Sequence, residues 1–387
     1  MASIQRFFRS PPGSFFLFGP RGTGKTTWLR HAWPDAPFVD LLDAAALRNY
    51  VARPERLADL VHGSPHARQV VVDEVQKAPA LLTVVHQLIE ERPRREVQFI
   101  LTVSSARKLK RTGVDLLAGR LALRTMHPFM AAELGDRFSL ASALRLGTLP
   151  VVLGAADPEE ALRSYVGLYM REEVQAEAVV RDIGGFARFM EVVSLSHGAM
   201  LNASQVAREC YVARTTVEGY VNVLEDLLLA FRLPPFTRRA RRQLVHHPKF
   251  YYMDAGVYRS VRPQGPLDRT EEIGGGCLEG LVAQHLRAWI AYSKGRRDMF
   301  FWRTKDGVEV DFVVYGEDDF FAVEVKSSRD VYPRDVRSLR AFLTDYPQAQ
   351  ACLLYCGRER LKINGVFCLP CEDFLRRLAP NERAPIP

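Results

Sequence analysis

A chain of 387 residues, 47% hydrophobic and 25% charged, with a net charge of +8, is long enough for two or three packed domains, which excludes a single small domain. The mild basicity permits a nucleic-acid or acidic-membrane partner without demanding one. Residues Met1 to Arg9 lack a long apolar h-region and no later run is long and uncharged enough to span a bilayer, so the expectation is a folded cytoplasmic protein with no membrane partner.

Phe15-Phe16-Leu17-Phe18 is a short apolar run, Gly19-Pro20-Arg21-Gly22-Thr23-Gly24-Lys25-Thr26 follows, and a helical run starts at Thr27. Strand, glycine-rich loop and helix in that order make a P-loop. Gly19, Gly22 and Gly24 let the backbone curl so that its N–H groups face phosphate oxygens, and the following helix adds its positive end. Lys25 reaches the β- and γ-phosphates of ATP, Thr26 ligates Mg²⁺, and Thr23 and Thr27 complete the phosphate-binding stretch.

Phe38 to Leu41 reads as the next strand, a helical stretch runs to about Val61, and Gln69-Val70-Val71-Val72 ends in Asp73-Glu74. Downstream of a P-loop this is a Walker B pattern: Asp73 holds Mg²⁺ and Glu74 polarises the attacking water. Taken alone, such a pair is an ordinary solvated strand end. Val97 to Val103 is a third buried strand closing in Ser104-Ser105. A hydroxyl there, on a parallel strand beside the P-loop strand, can bond the γ-phosphate or its water, which makes Ser104 a sensor candidate; the alternative is a helix N-cap. Arg120, in Leu116-Leu117-Ala118-Gly119-Arg120, is either a finger for a neighbouring subunit's nucleotide, implying a homo-oligomer, or a surface arginine.

These segments, with Asp73-Glu74-Val75-Gln76 and Leu101-Thr102-Val103-Ser104-Ser105-Ala106-Arg107, resemble the prokaryotic AAA-type ATPases that carry a C-terminal domain of unknown function. The resemblance runs over nearly the whole chain and implies ATPase activity on Lys25, Thr26, Asp73 and Glu74. The family's sensor strand usually reads Thr-Gly-Ser-Ser, and Val103 departs from it.

From about Pro158 strand and helix no longer alternate, which sets a domain boundary near Pro150. Asn202 to Cys210 and Arg214 to Leu224 read as two short helices about a tight turn, a helix-turn-helix pattern. Arg214, Thr215 and Thr216 at the second helix's start supply donors for phosphates and base edges; a helical lid on the ATPase is the alternative. Arg238, Arg239, Arg241 and Arg242 lie where a wing would track DNA phosphates, or form a solvated loop.

The last part contains a helix around Leu278 to Leu286 and two strands, Val308 to Val314 and Phe320 to Lys326, about a turn. Period two puts Val310, Phe312, Val314, Phe321, Val323 and Val325 on one apolar face and the polar groups on the other. If Tyr315 pairs with Phe320, Asp311 faces Glu324 and Glu309 faces Lys326. Like charges directly opposite destabilise a sheet, so a divalent cation between the first pair is the natural explanation. Asp, a turn, then Glu-x-Lys resembles the core of the PD-(D/E)XK nuclease fold, with Glu279 at its first-helix carboxylate. That resemblance implies Mg²⁺ on Asp311 and Glu324 and a water-positioning role for Lys326; a solvated hairpin face is the alternative. Of the six cysteines, Cys352 with Cys356 and Cys368 with Cys371 have spacings that a structural zinc could use, but Ala351 to Cys356 reads as a buried strand, where cysteine acts as a small hydrophobe.

The expected fold is α/β: a P-loop parallel-sheet ATPase domain over residues 1–150, a helical, winged-helix-like DNA-binding region over 151–248, and a nuclease-like α/β domain over 249–387. The expected function is an ATP-hydrolysing, Mg²⁺-dependent motor or switch acting on DNA. A regulatory NTPase with an inactive C-terminal domain is the second reading, and a protein that uses nucleotide only for assembly the third.

Overall fold

Apolar runs of four to six residues separated by helices dictate the first half of the computed structural model, which describes residues 4–91, 97–105, 119–169, 182–238, 244–245 and 247–387. The strands are β1 (Phe15–Phe18), β2 (Phe38–Asp40), β3 (Gln69–Asp73), β4 (Gln98–Val103) and β5 (Ala122–Thr125); the helices are α1 (Lys25–Ala32), α2 (Ala44–Ala52), α3 (Arg56–Gly63) and α4 (Leu81–Glu91). All strand pairs are parallel and the order is β2-β3-β4-β1-β5. Parallel strands are covered on both faces, which is why β3 and β4 read as unbroken apolar runs. Phe16, Val70, Val72, Phe99, Leu101, Leu57 and Leu81 form one core, and each such side chain contributes about 1.5–3 kcal/mol.

The consequence for a site is positional. Strand order sets the carboxyl end of β1 beside that of β4, and β4 beside β3. The P-loop, Ser104 and Asp73-Glu74 therefore open at one edge of one sheet, where open α/β sheets bind ligands.

Phe8–His127, with Asp226–Leu228, makes up one compact unit; Met1–Phe7, Pro128–Glu225 and Leu229–Pro387 make up the other. The expected boundaries at 150 and 248 do not coincide with this parting. In the second unit come short helices α5 (Ala131–Leu134), α6 (Leu140–Leu146), α7 (Pro150–Leu153) and α8 (Pro158–Ser164), then α9 (Ile183–Ser194), β6 (Ala199–Met200), α10 (Ala203–Cys210), α11 (Arg214–Asp226), β7 (Ala230–Leu233) and β8 (Lys249–Tyr252). Strands β6-β8-β7 form an antiparallel sheet. Here β8 supplies the central strand to residues on the other side of position 248, which is why the chain does not divide there. The N-terminal Ile4 and Phe7 also pack into this unit, and Arg6 pairs with the buried Glu133 at 3.3 Å.

The remainder is α12 (Ala255–Val261), α13 (Thr270–Tyr292), β9 (Arg297–Arg303), β10 (Glu309–Gly316), β11 (Phe320–Lys326), α14 (Arg337–Asp345), β12 (Gln350–Tyr355), β13 (Leu361–Ile363), β14 (Val366–Pro370) and α15 (Cys371–Arg377). Its mixed sheet runs β13-β14-β12-β11-β10-β9. One face packs Phe312, Val314, Phe321, Val323 and Cys352 against Leu278, Leu281 and Val282 of α13. The other packs Val310, Val313, Ala322 and Leu353 against Leu339 and Phe342 of α14.

The pairing Tyr315↔Phe320 is the register expected. Two expectations about this hairpin are corrected. The second face is apolar rather than polar, and Val310 lies on it, because an extra residue in β10 between Val310 and Val313 bulges the strand against β9 and breaks the period. Glu309 pairs with Arg303 and Lys249 rather than Lys326. Cys352 and Cys371 lie in the core on one face of the sheet, with Cys356 packed against it, and Cys368 lies in the core on the other.

Candidate functional site

The P-loop begins where β1 ends. Gly24, at φ 85°, is the N-cap of α1 and takes the left-handed conformation that any other residue adopts only at a cost. Gly19 is required by space: a Cβ there would lie 2.7 Å from the carbonyl oxygen of Met126. The first turn of α1 carries no acidic residue, so its free N–H groups present undiminished positive charge to an anion. Lys25 is buried, and its Nζ donates to the Gly19 carbonyl at 2.6 Å and the Pro20 carbonyl at 3.3 Å. Thr23 Oγ1 donates to the Pro20 carbonyl at 2.8 Å, while Thr27 is exposed one position beyond Thr26.

Thr26 Oγ1 donates to Asp73 Oδ2 at 2.7 Å. Asp73 is fully buried at the end of β3, and burial pushes its carboxyl above the usual range, opposed by hydrogen bonds from Thr102 and Thr26. Thr102, on β4, donates to Asp73 Oδ1 and accepts from the backbone N–H of Glu74, the latter at 2.8 Å. Glu74 is left-handed, φ 60° and ψ 46°. Its Oε2 accepts from Ser104 Oγ at 2.8 Å and from Gln76 Nε2. Thr26, Asp73, Glu74 and Ser104, chosen from sequence, therefore meet. Sequence reasoning assigned no role to Thr102 or Gln76, whose signals were a second hydroxyl two residues before Ser104 and a polar residue two after Glu74.

The donor set suits a magnesium nucleotide. Such an ion takes most of its oxygens from phosphate and water, and Thr26 and Asp73 are two adjacent oxygen donors beside a phosphate cradle. Arg120 pairs with Glu90 at 2.6 Å on the surface of the same chain.

A second polar cluster lies in the other unit. Lys249, 1% exposed at the start of β8, places its ammonium 3.1 Å from Glu279, 2.5 Å from Glu309 and 3.5 Å from Asp311. Burial alone would lower its pKa; Tyr251 and these carboxylates raise it well above the usual lysine value. Tyr251 donates to Glu279 at 2.6 Å, Asp311 Oδ2 accepts from the Val325 N–H at 2.8 Å, and Lys326 donates to Glu324 at 2.7 Å. Burial, then the Asp311 charge, pushes Glu279 up to about 7 and Glu324 up to about 8.

The structure thus brings Glu279, Asp311, Glu324 and Lys326 into one neighbourhood, with Lys249 at its centre. Among the described residues no group of three or more His, Cys, Asp or Glu is arranged to hold a metal ion. Glu279 and Asp311 face the Lys249 ammonium and Glu324 faces Lys326, whereas the cation expected from sequence was placed between Asp311 and Glu324.

Arg214 and Thr215 are exposed at the start of α11, and Arg214 pairs with Glu218 at 2.9 Å. Thr216 is half-buried. Arg238 is exposed with its guanidinium 5.0 Å from the centre of the Tyr315 ring. Arg239, Arg241 and Arg242 lie outside the described residues. No helix among the described residues is long and apolar enough to cross a membrane.

Comparison with known proteins divides the chain in three. Residues 12–135 match the sequence model of an AAA domain; residues 137–268 and 274–374 match two domains of unknown function, DUF8612 and DUF4143. An uncharacterized protein of Mycobacterium tuberculosis, Rv2008c, is 26% identical over 372 residues, covering 93% of this chain and 80% of its own, and the Mycobacterium bovis protein Mb2031c matches to the same extent. Among solved structures, the Thermotoga maritima RuvB Holliday junction branch migration motor aligns at TM-score 0.27 and 14% identity over 57% of this chain and 82% of that one. The replication initiator DnaA bound to AMPPCP and single-stranded DNA aligns at 0.28 and 14%, over 56% and 83%. The parallel sheet and its glycine-rich loop lie within the residues that match the AAA domain model.

Proposed function

We propose that this protein hydrolyses ATP with Mg²⁺ and uses the cycle as a switch acting on DNA. One observation carries the hydrolase reading: Thr26 Oγ1 lies 2.7 Å from Asp73 Oδ2, and Thr102 holds both Asp73 and the N–H of Glu74. A Walker A hydroxyl, a Walker B carboxylate and a base are thereby tied into one hydrogen-bonded unit from α1, β3 and β4.

Thr26 and Asp73 would hold Mg²⁺, which when bound neutralises charge on the β- and γ-phosphate oxygens. Gly19 to Gly24 and the start of α1 bind the phosphates through N–H groups, and Lys25 exchanges its loop carbonyls for phosphate oxygens. Glu74 takes a proton from water as the water oxygen bonds to the γ-phosphorus. The bond from that phosphorus to the β,γ-bridging oxygen breaks, and its electron pair leaves on ADP. Ser104, bonded to Glu74, steadies the base, which is a role one atom removed from the sensor expected from sequence. Arg120 is proposed as the finger toward a second copy's nucleotide, and homo-oligomerisation in the cytoplasm belongs to the same proposal.

For DNA, the support is the order α9, β6, α10, α11, β7, β8 with the sheet β6-β8-β7, an arrangement of helices and strands that a winged helix uses, with Arg214 and Thr215 at the exposed start of its second turn-linked helix. For the C-terminal sheet, Lys249 favours the reading in which this region binds a partner without cutting nucleic acid. Phosphate release, measured with and without single-stranded, duplex and branched DNA, tests both parts. Turnover stimulated by DNA with the DNA left intact is expected. Absence of Mg²⁺-dependent turnover on every form overturns the hydrolase reading, and Mg²⁺-dependent strand cleavage overturns the non-cutting one.

A further inference from the structure

Gln76 sits in the 3₁₀ turn Val75–Lys77 that follows Glu74, with its side chain 8% exposed. Its Nε2 donates to Glu74 Oε2 and, at 2.9 Å, to Ser104 Oγ, while Ser104 Oγ donates to the same Glu74 oxygen at 2.8 Å. The chemistry of the three groups fixes every hydrogen. An ionised carboxylate only accepts, so the amide nitrogen and not the amide oxygen faces Glu74. The single Ser104 hydrogen goes to Glu74, which leaves its oxygen to accept the second N–H of Gln76. The ring is closed and consumes both amide hydrogens.

The amide oxygen is left over. Gln76 Oε1 is buried and has no hydrogen-bond partner among the described residues. Leaving a buried acceptor unmade costs about 1–3 kcal/mol, and such a group in a folded protein asks for an explanation. Repacking the side chain cannot relieve it, because turning the amide over would set its oxygen against the Glu74 carboxylate. An acceptor held rigidly two residues from the proposed general base is what a hydrolytic water needs. To aim a lone pair at phosphorus, water must have both hydrogens committed, and one carboxylate oxygen commits only one of them.

We propose that Gln76 is a positioning residue for the attacking water: its Oε1 accepts one water hydrogen while Glu74 accepts the other and then removes it as the proton. The proposal rests on the hydrolase reading above. It also assigns Ser104 a defined part, since Ser104 accepts from the amide nitrogen and donates to Glu74, which holds the amide with its oxygen uncommitted. A ring that acted as a clamp withholding Glu74 would give the opposite result on removal of Gln76.

The test uses the full chain as wild type, Gln76→Leu, Gln76→Asn, Glu74→Gln and the Glu74→Gln/Gln76→Leu double variant. Affinity is read with a fluorescent ATP analogue, and turnover by phosphate release with Mg²⁺. Gln76→Leu is expected to bind nucleotide within about twofold of wild type and to lose about 10²-fold in kcat with KM little changed, as when one transition-state hydrogen bond is removed. Gln76→Asn, which keeps the amide on a shorter arm, should recover part of that loss. The double variant should be no slower than Glu74→Gln, because both residues act on one water. Turnover by Gln76→Leu at or above the wild-type rate overturns the proposal and leaves the hydrolase reading intact; a wild type without turnover overturns both. Should Gln76→Leu fail to bind nucleotide, Gln76→Asn decides, and undiminished turnover by it overturns the proposal.

Discussion

In the proposed mechanism Lys25 and Glu74 do different work, and the difference is measurable. Lys25 is the buried cation of the loop, and Lys25→Ala is expected to remove ATP hydrolysis altogether. Glu74→Gln keeps the shape of the site and removes only the base, so nucleotide binding should survive while turnover falls by about 10²- to 10⁴-fold. Equal turnover in Glu74→Gln and wild type, followed by phosphate release, sinks the assignment of the base. Glu74 carries a further mark of function in its backbone. A left-handed conformation at φ 60° costs a residue with a Cβ about 1–2 kcal/mol, and Thr102 and the Val75–Lys77 turn hold it there. No residue-type pattern announces such a conformation, since glutamate is neither a turn former nor a glycine substitute. The loop glycines, by contrast, were legible because their spacing is the conformation.

Among the elements, β8 and β10 show where reading a sequence stops. The contiguous pieces were legible: apolar runs ending in Gly-rich, acidic or hydroxyl-bearing tips gave β1, β3 and β4, and a short polar turn gave the Tyr315↔Phe320 register. The bulge in β10 was not, because nothing in Val310-Asp311-Phe312-Val313 differs in character from a regular strand; the partner strand β9 imposes it. Lys249 was not legible either, for its three carboxylates come from α13 and β10, distant in sequence.

Two outcomes follow for this cluster. In Lys249→Met, Glu279 and Asp311 lose their counter-charge while Glu309 keeps Arg303, and removing one partner of a buried ion pair costs about 3–5 kcal/mol. The variant should melt well below wild type in EDTA and regain part of the difference in Mn²⁺, whereas nucleotide-free wild type should show no Mn²⁺-dependent stabilisation removed by Glu324→Ala. Such a stabilisation would return the cluster to a metal site. The second outcome concerns pH. Glu279 and Glu324 are raised to about 7 and about 8 from an ordinary 4.5, so the folded state binds their protons more tightly than the unfolded state does. Their contribution is present at low pH and is lost as pH rises from about 4.5 through about 8. Melting temperature should therefore fall over that range, and Glu324→Gln, which keeps the neutral form, should flatten the fall; parallel curves for the two proteins would show that Glu324 is ionised throughout.

For the molecule as a whole, the net charge of +8 and the exposed Arg214, Thr215 and Arg238 bear on the DNA part of the proposal. Replacing Arg214, Arg238, Arg239, Arg241 and Arg242 by alanine should weaken DNA binding across sequences and make its salt dependence shallower by about one unit of slope for each phosphate contact removed. Fluorescence anisotropy across a salt titration reads this, and unchanged slopes return these arginines to solvated surface. The Arg214–Glu218 pair does not oppose such a role, since an exposed pair is worth only about 0–1 kcal/mol.

The segment Ile4–Phe7 belongs to the compact unit made mostly of residues after 127, although it precedes the P-loop in the chain. Arg6 pairs with Glu133 and donates to the Tyr292 hydroxyl at 3.3 Å, and the Phe7 N–H donates to Glu133 at 2.6 Å. A ribosome releases the P-loop sheet complete, with all five strands present, long before it has made Tyr292. The Arg6–Tyr292 bond spans 286 positions, so this corner of the fold closes only after the P-loop sheet has been completed, although Glu133 is on hand much earlier.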